Sequence, residues 1–383
     1  MSIYRGIRSW RHNRLCYHGR DLRILLDYRP ALRERTGVGE YAHELAAALV
    51  RRLRPPDALT IFSSSWKDRL PADRLPGAAA VDLRVPVRVL NAAWHRLEWP
   101  PIERFAGAVD IAHSLHPLLM PARRARQVVT VHDLDFLDHP ERTRGEIRRD
   151  YAALASAHAR RAAAVVTVSA FTTGEVERRL GVPRERIVVC SPGAPRWTAR
   201  PAPVPRGPIL FMGTLEPRKN VGALLNGYAA LLAQSPDAPP LWLAGGATEG
   251  ARPWLEAIAR PPFAGRVEHL GYIDSARRYD LYTRASMLVL PSHLEGFGIP
   301  VLEAMAAGVP VIVNRRGALP EVAGDAGQVV DADDAGALAA AMARYLDDAG
   351  FARDAAARGV NRARDYSWDA SAAALLARYR ELV

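Results

Sequence analysis

Residues capable of chemistry gather at four places in the chain. The richest is His293-Leu294-Glu295-Gly296-Phe297-Gly298-Ile299-Pro300-Val301-Leu302-Glu303-Ala304-Met305. It follows an apolar run that reads as a strand, and Pro300 sits where a first helical turn begins. Glu295 therefore falls on a loop at a strand's C-terminal end, and Glu303 about one turn inside a helix that has no other charge. Gly296 and Gly298 let backbone approach a ligand, and the N–H groups at the helix start suit hydroxyls or an anion. Two carboxylates also suit glycoside hydrolysis, but this spacing does not fix the separation that chemistry needs. A solvated loop acid and an ordinary helix acid are the bland alternative.

The second place is Gly213-Thr214-Leu215-Glu216-Pro217-Arg218-Lys219-Asn220, between a strand and a helix, with Asn220 as a candidate N-cap. Lys219 is one of only two lysines among 52 basic residues, the other being Lys67. Two cations at a helix start can hold a diphosphate through charge, dipole and N–H groups together. The third place is Thr36-Gly37-Val38-Gly39, read as a glycine loop before the first helix; it lacks the third glycine of a dinucleotide fingerprint. The fourth is Val131-His132-Asp133, a histidine at a strand's end, which a buried structural histidine would equally explain.

The elements that must position these groups alternate as βαβ units do. Strands are expected at 22–28, 59–63, 109–114, 128–131, 164–169 and 187–190, with helices at 40–53 and 170–180, the latter closed by Gly181. Residues 191–208 then carry six prolines, which suit neither sheet nor helix. Alternation restarts with strands at 209–212, 241–244, 267–270, 287–290 and 309–314, a helix at 221–233, and three more helices from residue 335 onward. The expected organisation is a Rossmann-like domain over 1–195, a linker at 196–207, and a second such domain over 208–369. A last helix, 370–383, is expected to pack back on the first domain.

Composition narrows the class. At 383 residues, 49% hydrophobic and 24% charged, the chain suits two soluble globular domains. No apolar run is long enough to span a bilayer, and no apolar stretch follows the Arg-rich first twenty residues as a secretory signal requires. Cys16 and Cys190 alone make neither a disulfide framework nor a metal cluster, so a cytoplasmic location is expected. The formal charge of +11 suits anionic partners: nucleotide diphosphates or an anionic membrane surface at its inner face. Without a block of five basic residues, a specific nucleic-acid partner is not expected.

The run from Glu295 to Glu303 resembles the E-x7-E motif of retaining GT-B glycosyltransferases, the family 4-like group that includes bacterial mannosyltransferases and polysaccharide glycosyltransferases. The resemblance continues through Gly317-Ala318-Leu319-Pro320-Glu321-Val322. It implies two Rossmann-like domains facing each other across a cleft, with a nucleotide sugar, GDP- or UDP-linked, on the second domain. It also implies that Glu295 contacts the transferred sugar, that Glu303 holds the ribose hydroxyls, and that Gly296, Phe297, Gly298, Ile299 and Leu302 belong to the donor site. Arg218 and Lys219, with Gly213 beside them, take the place of a divalent metal; Gly37 and Gly39 face the phosphates; His132 lies near the reacting carbon; Tyr272 and Ile273 receive the base. The implied acceptor is a glycan or lipid-linked sugar, with no further cofactor and no metal. Arg315 and Arg316 replace the small polar residues usual before Gly317, which makes them candidates for contact with acceptor or diphosphate. The rivals are a nucleotide-sugar epimerase of similar architecture and a non-catalytic nucleotide-sugar binder.

Overall fold

The computed structural model describes residues 21–32, 37–140 and 145–383; Cys16, Thr36 and the Arg-rich start lie outside the described residues. The first half supplies β1 (Arg23–Asp27), α1 (Gly37–Arg52), β2 (Ala58–Ser64), β3 (Ala79–Leu83), α2 (Val87–Leu97), α3 (Glu103–Ala106), β4 (Ile111–Ser114), β5 (Arg126–Val131), α4 (Asp135–Asp138), α5 (Gly145–Arg161), β6 (Ala164–Thr167), α6 (Ala170–Glu175) and β7 (Ile187–Val189). The second half supplies β8 (Ile209–Met212), α7 (Val221–Gln234), β9 (Leu241–Ala244), α8 (Arg252–Ile258), β10 (Val267–Gly271), α9 (Ser275–Arg284), β11 (Met287–Leu290), α10 (Ile299–Ala306), β12 (Val311–Asn314), α11 (Leu319–Ala323), β13 (Gln328–Val330), α12 (Ala335–Asp347), α13 (Ala349–Ala363) and α14 (Trp368–Leu382).

Each half folds around its own parallel sheet. Every residue of β4, β6, β8, β11 and β12 is buried, as strands covered by helices on both faces must be. The strand orders are β3-β2-β1-β4-β5-β6-β7 and β10-β9-β8-β11-β12-β13. Both orders reverse direction after their first strand, so a crevice opens beyond the C-terminal ends of β1 and β4, and another beyond β8 and β11. The loop after β8 carries Arg218 and Lys219; the loop after β11 carries Glu295. Topology alone thus brings the two strongest motifs to one edge.

Several local expectations are corrected. β3 and β13 were not anticipated, because these edge strands are half exposed and lack an apolar run. The helix α1 begins at Gly37, so Gly37-Val38-Gly39 is its first turn and not a loop before it. Asn220 does stand at the start of α7, in the left-handed region (φ 54°), but its amide donates to Asp333 (2.9 Å) and caps nothing. After α6 the chain widens into a π turn before Gly181 closes it.

No regular element lies between β7 and β8, yet that stretch is pinned: Ala194 donates to the Tyr366 carbonyl and Arg200 to that of Ala307. The helix α14 packs on α1 and β7 of the first sheet. Leu375 and Tyr379 are fully buried there, the Tyr379 hydroxyl meets His113 Nδ1 at 2.5 Å, and Ser371 donates to the Ser191 carbonyl. Among the described residues no helix is long and apolar enough to cross a membrane.

Candidate active site

A cavity of about 400 Å³ opens where the two sheet edges face each other. Its wall includes Gly37, His132, Gly213, Arg218, Lys219, Tyr272, Ile273, Glu295, Gly296, Phe297, Gly298, Ile299 and Glu303. Two expected donor residues do not reach it. Gly39 is a close-approach glycine: a Cβ there would stand 2.7 Å from the Pro30 carbonyl oxygen. Leu302 points into the core, 1% exposed.

The loop after β11 is built around Glu295. Its Oε1 accepts from Lys219 Nζ at 2.6 Å and from the Ser292 hydroxyl at 2.8 Å; its Oε2 accepts from Arg218 Nη1 at 3.3 Å. Burial pushes this carboxyl upward, but Lys219 and Arg218 outweigh it and hold the group below the usual glutamate range. Arg218 also donates to the Leu294 carbonyl and to Glu216, and Asp133 of the first domain lies 3.7 Å away. Burial alone would lower its pKa; Glu295, Asp133 and Glu216 reverse that and keep it a cation. Lys219 has three N–H donors and gives one to Glu295, so two can turn to a ligand.

The backbone completes the polar wall. Among the described residues, the N–H groups of Gly296, Phe297, Gly298 and Ile299 donate to no protein acceptor. They lead into α10, where orphan donors and the helix dipole favour negative charge. The Gly296 carbonyl, in turn, accepts from the Ser169 hydroxyl of the first domain at 2.7 Å. A Cβ on Gly296 would come within 1.7 Å of the His132 carbonyl oxygen, so only glycine lets the two domains meet here. A second clasp lies nearby: the two carboxylate oxygens of Glu321 accept the Ala170 and Phe171 N–H groups at 2.8 and 2.9 Å.

Burial lowers the pKa of His132 and so favours its neutral form. Its Nε2 donates to the Leu115 carbonyl at 3.2 Å, which leaves Nδ1 as the acceptor, and its ring meets Tyr41 edge-on.

Glu303 occupies a different setting. Oε1 accepts from Arg278 Nη1 at 2.6 Å and Oε2 from the Tyr282 hydroxyl at 2.8 Å. Burial raises its pKa, and Arg278 and Tyr282 only partly offset this. Arg278 reaches on to Glu40 of α1, Nη2 to Oε2 3.4 Å. Arg278, Glu40, Glu216 and Ser292 were not singled out in the sequence; Glu216 stands inside one motif and Ser292 directly before the other, and both could have been. Arg315 and Arg316, candidates for ligand contact, pair instead with Asp331 and Asp333 at 2.7 Å each. Asp334, beside that acidic run, is the N-cap of α12 and accepts the Ala337 N–H.

Comparison with known proteins agrees with this geometry. A model described as glycosyltransferase family 4 matches residues 35–195, and one described as glycosyl transferases group 1 matches residues 206–348. The O-antigen chain mannosyltransferase B of Escherichia coli is 31% identical, over 91% of this chain and 97% of its own length. The chain belongs to glycosyltransferase family 4. Among solved structures, sucrose-phosphate synthase from Thermosynechococcus elongatus superposes with a TM-score of 0.75 at 21% identity, covering 95% of this chain and 99% of that one. Anabaena HepE, solved with UDP and glucose, gives 0.68 at 16% identity over 93% and 99%. Both carry the same two-domain arrangement, and the fold of this glycosyltransferase is GT-B. The epimerase and the non-catalytic binder are not favoured.

Proposed function

We propose that this glycosyltransferase moves a hexose, mannose by preference, from a GDP- or UDP-linked donor to a glycan or lipid-linked acceptor during assembly of a bacterial surface polysaccharide. The observation that carries the reading is the convergence of Arg218, Lys219 and the N–H groups of residues 296–299 on one cavity beside Glu295. These groups neutralise the departing diphosphate, the task a divalent metal performs elsewhere. The bond between the anomeric carbon and the diphosphate oxygen breaks, and its electron pair leaves with the phosphate. The acceptor hydroxyl attacks from the same face, its proton passing to a phosphate oxygen, so configuration is retained. Glu295 and His132 orient the sugar as it gains positive charge, and Glu303 holds the ribose. Mannose is supported by the Escherichia coli relative's name and identity.

The site works at the inner face of a membrane. Support comes from α2, which leaves Val89, Leu97 and the following Trp99 exposed beside Arg88 and Arg96, the mixture that suits an anionic lipid surface.

A thermal-shift screen across nucleoside diphosphates tests the donor site, because a ligand of the native state raises the melting temperature by mass action. One diphosphate is expected to stabilise the protein, and its sugar conjugate to be consumed only with acceptor present. Conversion of the donor alone into another nucleotide sugar would establish an epimerase instead.

A further inference from the structure

Arg278 stands between two carboxylates from different domains. It lies on α9, one turn before Tyr282, so the two residues reach the two oxygens of Glu303 from one helix face. Its other nitrogen meets Glu40 in the first turn of α1. The side chains of Glu303, Arg278 and Glu40 are 7%, 14% and 20% exposed, and all three line the donor cavity.

We propose that Arg278 and Glu40 are positioning residues for the donor: Arg278 keeps Glu303 aimed and ionised for the ribose, and Glu40 ties that cation to the first domain, so that cleft closure and nucleotide binding share one ion pair. The inference rests on the reading of Glu303 as the ribose acid and adds the device that makes it usable. A glutamate buried this deeply takes up a proton unless a cation stands beside it, and a protonated carboxyl loses the charge-assisted bonds to a diol. Arg278 is that cation. Glu40 acts in two opposed ways: it anchors Arg278, and its own charge favours protonation of Glu303.

Among the described residues, the surroundings of Glu303 contain no substitute. From α9 come Arg278 and Tyr282; from α1 come Glu40 and, one turn on, Glu44, which lines the adjoining crevice. Across that crevice Arg51 and Arg196 are both paired with Asp369, and Arg364 donates to Asn361.

The test is calorimetric binding of GDP-mannose and UDP-glucose between about pH 5 and about pH 9, without acceptor. Neither probe has a group that titrates on the acid side of this range, so a loss of affinity towards low pH belongs to the protein. The parent should lose affinity below a midpoint set by Glu303. In Arg278→Gln that midpoint should rise by about one pH unit, in Glu40→Gln it should fall, and Arg278→Lys should restore it towards the parent. A purely structural role for either residue would weaken binding without moving the midpoint in opposite directions. Equal midpoints in parent, Arg278→Gln and Glu40→Gln overturn the inference. Glu303→Gln separates the two levels: if it binds like the parent with the same pH profile, the ribose reading itself fails. If it binds weakly and without pH dependence while the other midpoints stay fixed, only the Arg278–Glu40 inference fails.

Discussion

Glu295 and Glu303 are the two ends of one motif, both buried and both hydrogen-bonded, yet they sit in opposite electrostatic settings. Glu295 faces two cations, Lys219 and Arg218, and is held below the usual glutamate range. Glu303 shares its one cation with Glu40 and is held above that range. The difference follows from the strands that carry the partners. The loops after β8 and β11 meet at the topological switch point, which concentrates positive charge where the proposed donor places its diphosphate. Glu303, a turn inside α10, meets only what α9 and α1 present. On the proposed reading, one centre stabilises charge that moves during reaction and the other holds a neutral diol.

The largest expected effect falls on the first centre. Lys219→Ala should lower kcat by roughly a hundredfold or more, because it removes charge that acts on the leaving group. The variant should still fold, at a cost of about 1–3 kcal/mol, because Glu295 keeps Arg218 and Ser292 as partners. Near-normal turnover in a folded variant would remove Lys219 from the chemistry and erase the contrast between the two acids.

Glu303→Gln should act on binding instead. Weakened bonds to the ribose are worth about 1.5–3 kcal/mol, or roughly ten- to hundredfold in nucleoside diphosphate affinity, with a smaller change in kcat. A kcat loss as large as that of Lys219→Ala would mean the two centres work as one.

The third expectation sharpens the contrast through stability. A carboxyl whose folded pKa is lowered stabilises the native state above its unfolded pKa and stops doing so only as pH falls through the folded value. Glu295 is of this kind, so Glu295→Gln should cost about 1–3 kcal/mol at pH 8, with nearly the same deficit at pH 5. A carboxyl whose folded pKa is raised does the opposite: the native state loses stability as pH rises from the unfolded value towards the folded one. Glu303→Gln should therefore gain on the parent between pH 5 and pH 8, ending within about 1 kcal/mol of it or above it. Urea unfolding at the two pH values measures both trends, and parallel behaviour of the two variants would refute the assigned settings.

The contrast was only half legible in the sequence. Glu295, Arg218 and Lys219 announce themselves because glycines, a proline and a rare lysine stand on short loops after fully apolar strands. The parallel character of both sheets then follows from the alternation. Arg278 gave no such signal: in a chain with 52 basic residues, nearly all arginine, one more on an exposed-looking helix is invisible. Glu40 marked only the start of the expected helix 40–53. Their meaning is tertiary, set by how α1 faces α9 across the cleft. The edge strands β3 and β13 were hidden for a related reason, since one open side removes the apolar run that marks a strand.

The smallest expected effect is none at all, and it concerns metal. The chain has two Asp-x-Asp runs, the kind that holds magnesium against a nucleotide diphosphate in other transferases. In the first, Asp133 accepts the Asp135 N–H at 3.2 Å and turns its other oxygen towards Arg218. In the second, Asp331 and Asp333 are engaged by Arg315 and Arg316, and Asp333 also by Asn220. Magnesium prefers a near-octahedral set of oxygens from one or two carboxylates, water and phosphate. To bind at Asp133 it would have to settle beside Arg218, whose positive charge opposes it at short range. The cation pair and a metal are thus alternative answers to the same need, and this cavity is furnished with the first. Turnover in excess EDTA should match the untreated rate, for the parent and for the Glu303→Gln variant alike. Complete loss of activity, restored by magnesium or manganese, would mean that Arg218 and Lys219 do not carry the leaving group, and the asymmetry between Glu295 and Glu303 would then need another cause.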